Sequence, residues 1–187
     1  MVWSSRRRWI PFWPRSQPPP SAPPPVVLIP PSVSYANRIM WDSTTPLAIP
    51  LNAQLVAGYV DGRYAWPQSA WARWPTQRRV TIAVDIGTTQ ADVLDVEAGA
   101  ADPAQARVWV QNRLRLGVRA PICYCNRSTE PALRAALTGL NWRWWAADWT
   151  GQLHTIPGAV AVQYASPGIG TPTHVDLSVV TDPSFPN

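Results

Sequence analysis

The sequence predicts an α/β fold, a reduced (trimmed) TIM-like β/α barrel with few short helices, preceded by an extended proline-rich tail. From about residue 37 onward the chain shows eight short β-like runs, separated by helical or turn-rich segments. Several runs end in an acidic residue, and the carboxyl ends of the strands are where such a barrel carries its functional groups. A chain of 187 residues is also long enough for one domain of about 150 residues and a tail.

Residues 1–35 are predicted to be a tail or linker, and residues 36–187 the barrel domain. Ten of the 22 prolines lie in the first 31 residues, a composition that favours an extended polyproline-type spacer. The tail also carries arginine and aromatic residues, namely Trp3, Arg6, Arg7, Arg8, Trp9, Phe12 and Trp13. Two interpretations remain open: a peptide that anchors the barrel to a larger assembly such as a virion or an envelope, or a disordered leader.

The net charge of +5 does not indicate a nucleic-acid-binding barrel. Arg6, Arg7, Arg8 and Arg15 supply four of these charges and no acid precedes Asp42, so the remaining chain is close to neutral. Nucleic acid is therefore not an expected partner of the barrel, although the tail could touch an anionic surface.

The apolar patch at residues 9–13 is not a convincing signal peptide, because it is short and interrupted by Pro11. No stretch approaches the roughly 20 apolar residues of a transmembrane segment. Where the protein acts stays open, with a virion or the bacterial cell envelope as the expected places.

The predicted strands and helices follow from hydrophobic periodicity and turn residues. The strands are Arg38–Trp41, Leu55–Val60, Arg79–Val84, Asp92–Glu97, Pro121–Cys125, Trp144–Ala147, Val160–Gln163 and Val175–Leu177. The helices are Pro67–Arg73, Pro103–Leu116 and Glu130–Leu137. Asp102 is a plausible N-cap for the second helix and Pro103 occupies its first position. Connections such as residues 86–91 are too short for a full helix.

The most informative motif is a pair of carboxylates two residues apart, Asp95 and Glu97, at the end of an apolar strand. Side chains alternate between the two faces of a strand, so these two share a face with Val93. The chain has only two glutamates, Glu97 and Glu130, so glutamates are not spread over its surface and the place of Glu97 beside Asp95 is informative. The pair favours acid chemistry, and a solvated strand end or a structural ion pair is the alternative.

The sequence predicts no metal and no cofactor. His154 and His174 have no partner at ligand spacing, no serine or cysteine lies in a nucleophile-elbow context, and no glycine loop is suited to phosphate. Cys123 and Cys125 flank one residue in an apolar run, which favours small buried side chains over a disulfide or a zinc site.

Six segments, taken in order, resemble the glycoside hydrolase family 25 lysozymes, and more closely the short family-25-like domains encoded by actinobacteria and their phages. The resemblance covers about residues 38 to 182. Its landmarks are Met40-Trp41-Asp42-Ser43, Leu94-Asp95-Val96-Glu97, Pro121-Ile122-Cys123-Tyr124-Cys125-Asn126, Trp144-Trp145-Ala146-Ala147, Val162-Gln163-Tyr164 and His174-Val175-Asp176-Leu177-Ser178. The ordered set carries the resemblance, since no single motif is specific.

The resemblance implies hydrolysis of the β-1,4 bond between N-acetylmuramic acid and N-acetylglucosamine in peptidoglycan. Glu97 would be the general acid, with its pKa raised by desolvation. Asp95 and Asp176 would stabilise an oxocarbenium-like transition state or orient the acetamido group, and Asp42 would complete the acidic cluster.

Candidate substrate-binding residues come from the same resemblance and from the strand-end rule. Tyr124, Trp145 and Gln163 match positions that would line the sugar site. Asp61 and Asp85 each follow a predicted strand, where a β/α barrel carries its functional groups, so they are also candidate substrate-binding residues. One or two of Trp142, Trp144, Trp145 and Trp149 could also face a sugar ring.

Departures from the family pattern keep a second function open. Val162 stands in place of a tryptophan, several barrel helices are missing, and the second and third strands lack signatures of active members. The alternative is a non-catalytic virion structural protein, or a cell-wall-binding protein, built on a degenerate hydrolase-like barrel.

Overall fold

A computed structural model describes residues 38–171 and 174–187, and these form a closed barrel of eight strands in a mixed sheet. The strands are β1 (Arg38–Asp42), β2 (Leu55–Tyr59), β3 (Arg79–Ala83), β4 (Val93–Asp95), β5 (Ile122–Asn126), β6 (Arg143–Ala147), β7 (Ala159–Pro167) and β9 (Asp176–Val180). A short strand, β8 (Gly170–Thr171), pairs with the end of β7. The predicted barrel is thereby confirmed, with a strand observed at each of the eight predicted places. The predicted tail lies outside the described residues.

The direction of the strands departs from a regular β/α barrel at one place. Strands β1 to β7 are parallel, each pairing with the next, whereas β9 runs antiparallel between β7 and β1 and closes the sheet. Only residues 168–175 separate β7 from β9, and two of them form β8. This connection leaves no chain for the crossover that a parallel neighbour requires, so β9 runs back in the opposite direction.

The helices are short, as the sequence predicts. They are α1 (Gln68–Trp71), α2 (Pro103–Arg115) and α3 (Glu130–Ala136), with 3₁₀ turns at Pro46–Ala48 and Thr76–Arg78. The predicted N-cap of α2 is confirmed as a capping box, because Asp102 accepts from the Gln105 backbone N–H at 2.8 Å and the Gln105 side chain accepts from the Asp102 N–H at 2.9 Å. Among the described residues, no helix is both long and apolar enough to cross a membrane.

Alternation along the strands separates the barrel interior from the outer layer. Val93 packs inside the barrel with residues such as Met40 and Ile122. Leu94 and Val96 pack outward against the layer that includes Trp109 of α2. Asp95 and Glu97 therefore follow Val93 toward the interior, on the face that the spacing argument predicts.

The two cysteines lie on the outward face of β5, where both are buried and unpaired as predicted. Burial raises the pKa of both thiols, to about 12 for Cys125. They are hydrophobic packing groups of the layer between the barrel and the helices.

The amino end of the barrel is closed by the C-terminal segment that follows β9. Phe185 is fully buried in the barrel interior, with its ring centroid 6.3 Å from that of Trp145. Arg143, at the start of β6, holds this segment by donating to the Pro186 carbonyl at 2.9 Å and to the Ser184 hydroxyl at 3.1 Å. Trp145 packs edge-on against Tyr124 at 4.9 Å, so contacts run from this plug up to the opposite end of the barrel.

We expect Phe185→Ala to lower the free energy of unfolding by about 3 kcal/mol, because it empties a fully enclosed ring site. Urea denaturation followed by tryptophan fluorescence measures the change. Leu51→Ala is the control, since Leu51 is 64% exposed and its truncation should change stability by less than about 0.5 kcal/mol. Equal stabilities of the two variants would show that the plug does not support the barrel.

Candidate active site

Four carboxyl groups converge at the end of the barrel where the parallel strands finish. Asp42 is the last residue of β1 and Asp176 the first of β9, and the antiparallel register places their Cα atoms directly opposite each other. Asp95 ends β4 opposite Tyr124 of β5, and Glu97 follows it on the same inward face. Because inward positions on neighbouring strands meet in the same layer, all four side chains face one mouth.

Two adjoining cavities open at this mouth. The inner cavity, of about 140 Å³, is lined by Asp42, Tyr59, Ile82, Glu97, Tyr124, Trp145, Trp149, Gln163 and Asp176. The outer groove, of about 520 Å³, is lined by Tyr59, Asp61, Gly62, Arg63, Tyr64, Val84, Asp95, Glu97, Ala98, Gly99 and Ala100. Tyr59 and Glu97 line both, so Glu97 lies where the two cavities join.

Gln163 ties together one wall of the inner cavity. Its side-chain N–H group donates to both carboxyl oxygens of Asp42 at 3.1 Å. Its side-chain oxygen accepts from the Tyr124 hydroxyl at 2.8 Å and from the indole N–H of Trp149 at 2.6 Å. The amide therefore holds three lining side chains in position.

Asp42 and Asp176 form the first carboxyl pair, and both have raised pKa values. Burial raises the pKa of Asp42 well above its usual value, and the neighbouring Asp176 charge raises it further. Burial also raises the pKa of Asp176, to about 6, while a hydrogen bond with Asp42 acts in the opposite direction. The pair therefore gives up its protons at higher pH than isolated aspartates do.

Asp95 and Glu97 form the second carboxyl pair, and both have raised pKa values. Burial raises the pKa of Asp95 to about 7, the charge of Glu97 contributes to the increase, and a 3.5 Å hydrogen bond from the Tyr59 hydroxyl opposes it. Burial likewise raises the pKa of Glu97, with a further contribution from Asp176. Among the described residues, one oxygen of each carboxyl is buried with no hydrogen-bond partner. Desolvation of this kind favours the protonated form of a carboxyl group, which is the form that acts as a general acid.

The structure separates the predicted substrate-binding residues into two groups. Tyr124, Trp145 and Gln163 line the inner cavity, and Asp61 lines the outer groove. Asp85 lines neither cavity; its side chain accepts from the Gly87 N–H at 2.8 Å within its own loop. Asp61 also has a local structural contact, since it accepts from the backbone N–H groups of Val84 and Asp85 at the end of β3.

Three of the lining residues that were not predicted have charged or hydroxyl-bearing side chains: Tyr59, Arg63 and Tyr64. Tyr59 is the last residue of β2 and follows Leu55 and Ala57 on the inward face, so the alternation that identified Asp95 could have found it. Arg63 and Tyr64 lie in a loop, where periodicity carries no information. One or two of four tryptophans were expected to face a sugar, and of these four Trp145 and Trp149 line the inner cavity.

Among the described residues, no group of three or more His, Cys, Asp or Glu side chains is arranged to bind a metal ion. His154 lies outside the lining of both cavities, with its ring Nε2 3.0 Å from a carboxyl oxygen of Asp148. The chemistry that these lining residues can perform directly is proton transfer and stabilisation of positive charge by carboxyl groups.

The fold resembles that of a known hydrolase, whereas comparisons of the sequence with family models and curated proteins find no match. No protein-family model and no curated protein matches the chain. Among solved structures, a glycosyl hydrolase 25 of Streptococcus pneumoniae, described as a virulence factor participating in host cell invasion, has a TM-score of 0.52 at 14% identity. The match covers 78% of this chain and 88% of that chain. At this level of identity the likeness shows a shared barrel fold.

Proposed function

We propose that this chain is a glycoside hydrolase of the lysozyme type, which cleaves the glycan strands of peptidoglycan with Glu97 as the general acid. The observation that carries the proposal is the position of Glu97. It lies at the junction of the two cavities, with a raised pKa and three other carboxyl groups at the same mouth. The shared fold with a glycosyl hydrolase 25 supports the same reaction class, as does the ordered set of family-like segments.

Glu97 is the carboxyl best suited to reach a scissile bond. It lines both cavities and is partly exposed, whereas Asp95 is 6% exposed and lines only the outer groove. A glycan that spans the two cavities passes directly beside Glu97. The protonated carboxyl then donates to the glycosidic oxygen as the bond to the sugar breaks. A water molecule adds to the resulting sugar cation and returns a proton to Glu97, which completes the hydrolysis.

The remaining carboxyls stabilise the positive charge that develops on the sugar ring. Asp176 and Asp42 both line the inner cavity, so this pair faces the oxocarbenium-like centre. Gln163 holds Asp42 in place by donating to both of its carboxyl oxygens. Asp95 lies beside Glu97, and the charge of Glu97 adds to burial in raising the pKa of Asp95 to about 7, so this pair resists carrying two negative charges.

The class of reaction is tested by the chemical groups that the protein releases from purified peptidoglycan. We expect new reducing ends, identified by borohydride reduction and mass spectrometry of the products, without a matching increase in free amino groups. New amino groups without reducing ends would assign a peptidase or amidase. Neither product at high enzyme concentration would contradict hydrolysis of peptidoglycan altogether.

A glycan-binding barrel without turnover is the second candidate function, and the size of the inner cavity favours it. The inner cavity measures about 140 Å³, below the roughly 300–1,000 Å³ of usual ligand pockets, and the amide of Gln163 is already hydrogen-bonded on both sides. In this case the protein would sediment with insoluble peptidoglycan while releasing no reducing ends. Release of reducing ends at catalytic enzyme-to-substrate ratios would rule out the binding-only function.

A further inference from the structure

We propose that Arg63 is a specificity-determining residue, which binds a carboxylate of the glycan at the outer groove and makes the site prefer acidic glycans over neutral ones. The inference rests on the proposed function, since it concerns the substrate of the same site. It follows from three features of the groove: how the Arg63 loop is held, what the guanidinium contacts, and where the charges lie.

The loop that carries Arg63 is held firmly at the mouth of the barrel. It begins after β2, where Asp61 accepts from the Val84 N–H at 2.7 Å and from the Asp85 N–H at 3.2 Å. It ends where the Trp66 N–H donates to the Tyr59 carbonyl at 2.8 Å. Gly62 turns the chain with a φ of +69°, and a side chain there would lie 2.6 Å from Val84. Such a loop presents its side chains to the groove with little freedom.

The guanidinium of Arg63 contacts an aromatic ring and has no anionic partner. It stacks over the Tyr64 ring at 4.5 Å from the centroid, and the Tyr64 ring lies 6.3 Å from that of Tyr59. Every acidic residue of the chain lies within the described residues, and none of them forms an ion pair with Arg63. Stacking on an aromatic ring leaves the edge of a guanidinium, with its fork of N–H donors, open to a carboxylate.

Charge is distributed unevenly along the site. Arg63 is the one cation among the described residues that line the two cavities. Carboxyl groups line both: Asp61, Asp95 and Glu97 in the outer groove, and Asp42, Glu97 and Asp176 in the inner cavity, which has no cation beside them. Both oxygens of Asp61, the carboxylate next to Arg63 in sequence, accept backbone N–H groups. A glycan would therefore place a neutral part of a sugar near Asp176 and an anionic group near Arg63. A carboxylate of the glycan would bind the planar guanidinium of Arg63 at the outer end and would be repelled by the carboxyl groups at the inner end. This difference in charge also sets the direction in which the glycan binds.

Peptidoglycan offers such a carboxylate from two sources, the lactyl group of N-acetylmuramic acid and the attached peptide. Three tetrasaccharides of alternating N-acetylglucosamine and N-acetylmuramic acid separate them. The first has no peptide and free lactyl carboxylates, the second has these converted to amides, and the third carries peptide stems. Binding of each is measured by titration calorimetry in the Glu97→Gln background, which prevents turnover during the measurement.

We expect Arg63→Gln to weaken binding of at least one carboxylate-bearing tetrasaccharide by about 10- to 100-fold, while binding of the amidated one changes by less than about twofold. Arg63→Lys should recover part of the loss because it restores the charge without the planar fork. Arg119→Gln is the matched control, since it removes the same charge from an exposed position outside both cavities and should change neither affinity. The probe that loses affinity identifies the source of the carboxylate.

Three results would overturn the inference: no loss for either acidic probe, an equal loss for the amidated probe, or no binding of any probe. Its failure is distinguishable from failure of the hydrolase proposal. Release of reducing ends by the native protein without charge preference would leave the hydrolase proposal intact and exclude the role of Arg63. Charge-selective binding without release of reducing ends would support the role of Arg63 and exclude the hydrolase proposal.

Discussion

Replacing Glu97 with glutamine is expected to lower kcat for glycan hydrolysis by about 10³-fold, within the 10²- to 10⁴-fold range of general acids. Glutamine keeps the shape of the side chain and its position where the two cavities join, but it has no proton to donate to the leaving oxygen. Binding of glycan should remain within a few-fold of the native value. Initial rates of reducing-end release at saturating substrate, together with direct binding, separate the two effects.

Glu130→Gln provides the matched control for this experiment. Glu130 is the other glutamate of the chain, and it lies at the start of α3 in an ion pair with Arg134. Its replacement makes the same chemical change away from both cavities and should leave kcat within about twofold. Equal rates for Glu97→Gln and the native protein would remove Glu97 from the mechanism, whatever the protein hydrolyses.

Asp95→Asn is expected to stabilise the protein at pH 8 and to leave its stability unchanged near pH 4. The folded protein raises the pKa of Asp95 from 3.8 to about 7, so it holds the proton more tightly than the unfolded chain does. The free energy of unfolding therefore falls as pH rises from about 4 to about 7, where the buried group must ionise. The shift corresponds to at most about 4 kcal/mol above pH 7.

Asparagine resembles the protonated acid in shape and is neutral at every pH, so the variant escapes this loss. We expect it to be more stable than the native protein by about 2–4 kcal/mol at pH 8. Urea denaturation at pH 4, 6 and 8 measures the difference. A constant difference across the three pH values would show that Asp95 titrates alike in the folded and unfolded states. Slower hydrolysis by the same variant would indicate that the buried charge is maintained for function at a cost in stability.

Asp182→Asn serves as the control, because it should lower the free energy of unfolding where Asp95→Asn raises it. Burial acts to raise the pKa of Asp182, but hydrogen bonds from Ser184 and the nearby Arg143 outweigh it, and the pKa is lowered. Its ionised form stabilises the folded protein above pH 4, so neutralising it should lower stability at pH 6 and 8. Opposite effects of the two variants would separate a specific consequence of burial from a general effect of removing a negative charge.

Much of the fold was predictable because local patterns and tertiary structure agree. Alternation along Val93, Leu94, Asp95 and Val96 predicted which side chains face inward, and the barrel packs Val93 inside and Leu94 and Val96 outside. The capping box at Asp102 depends on two residues three positions apart, so the start of α2 could also be predicted from the local sequence. Closure by an antiparallel β9 was missed, although the short connection before it was visible in the sequence.

The acidic residues of the site could be predicted from the sequence, but the side chains that hydrogen-bond to them could not. Asp42 and Asp176 are 134 positions apart in the chain, yet the family resemblance implied that they belong to one acidic cluster, and the β1–β9 register pairs them. The resemblance also assigned Gln163 to the sugar site; it lines the inner cavity, and the sequence did not show that its amide bonds to Asp42, Tyr124 and Trp149. Asp85 satisfies the same strand-end rule but turns into its own loop.

The sequence by itself determined the strands, the inward face of each strand and the set of acids, because these depend on side-chain chemistry and on spacings of two to four residues. Only the tertiary structure decided that burial raises the pKa values of Asp42, Asp95 and Asp176, what Gln163 contacts, and that Arg63 lines the groove without an acidic partner. These properties depend on burial and on distances between groups that are remote in the chain. Desolvation and Coulomb interactions act through space, so a linear pattern of residues does not encode them locally.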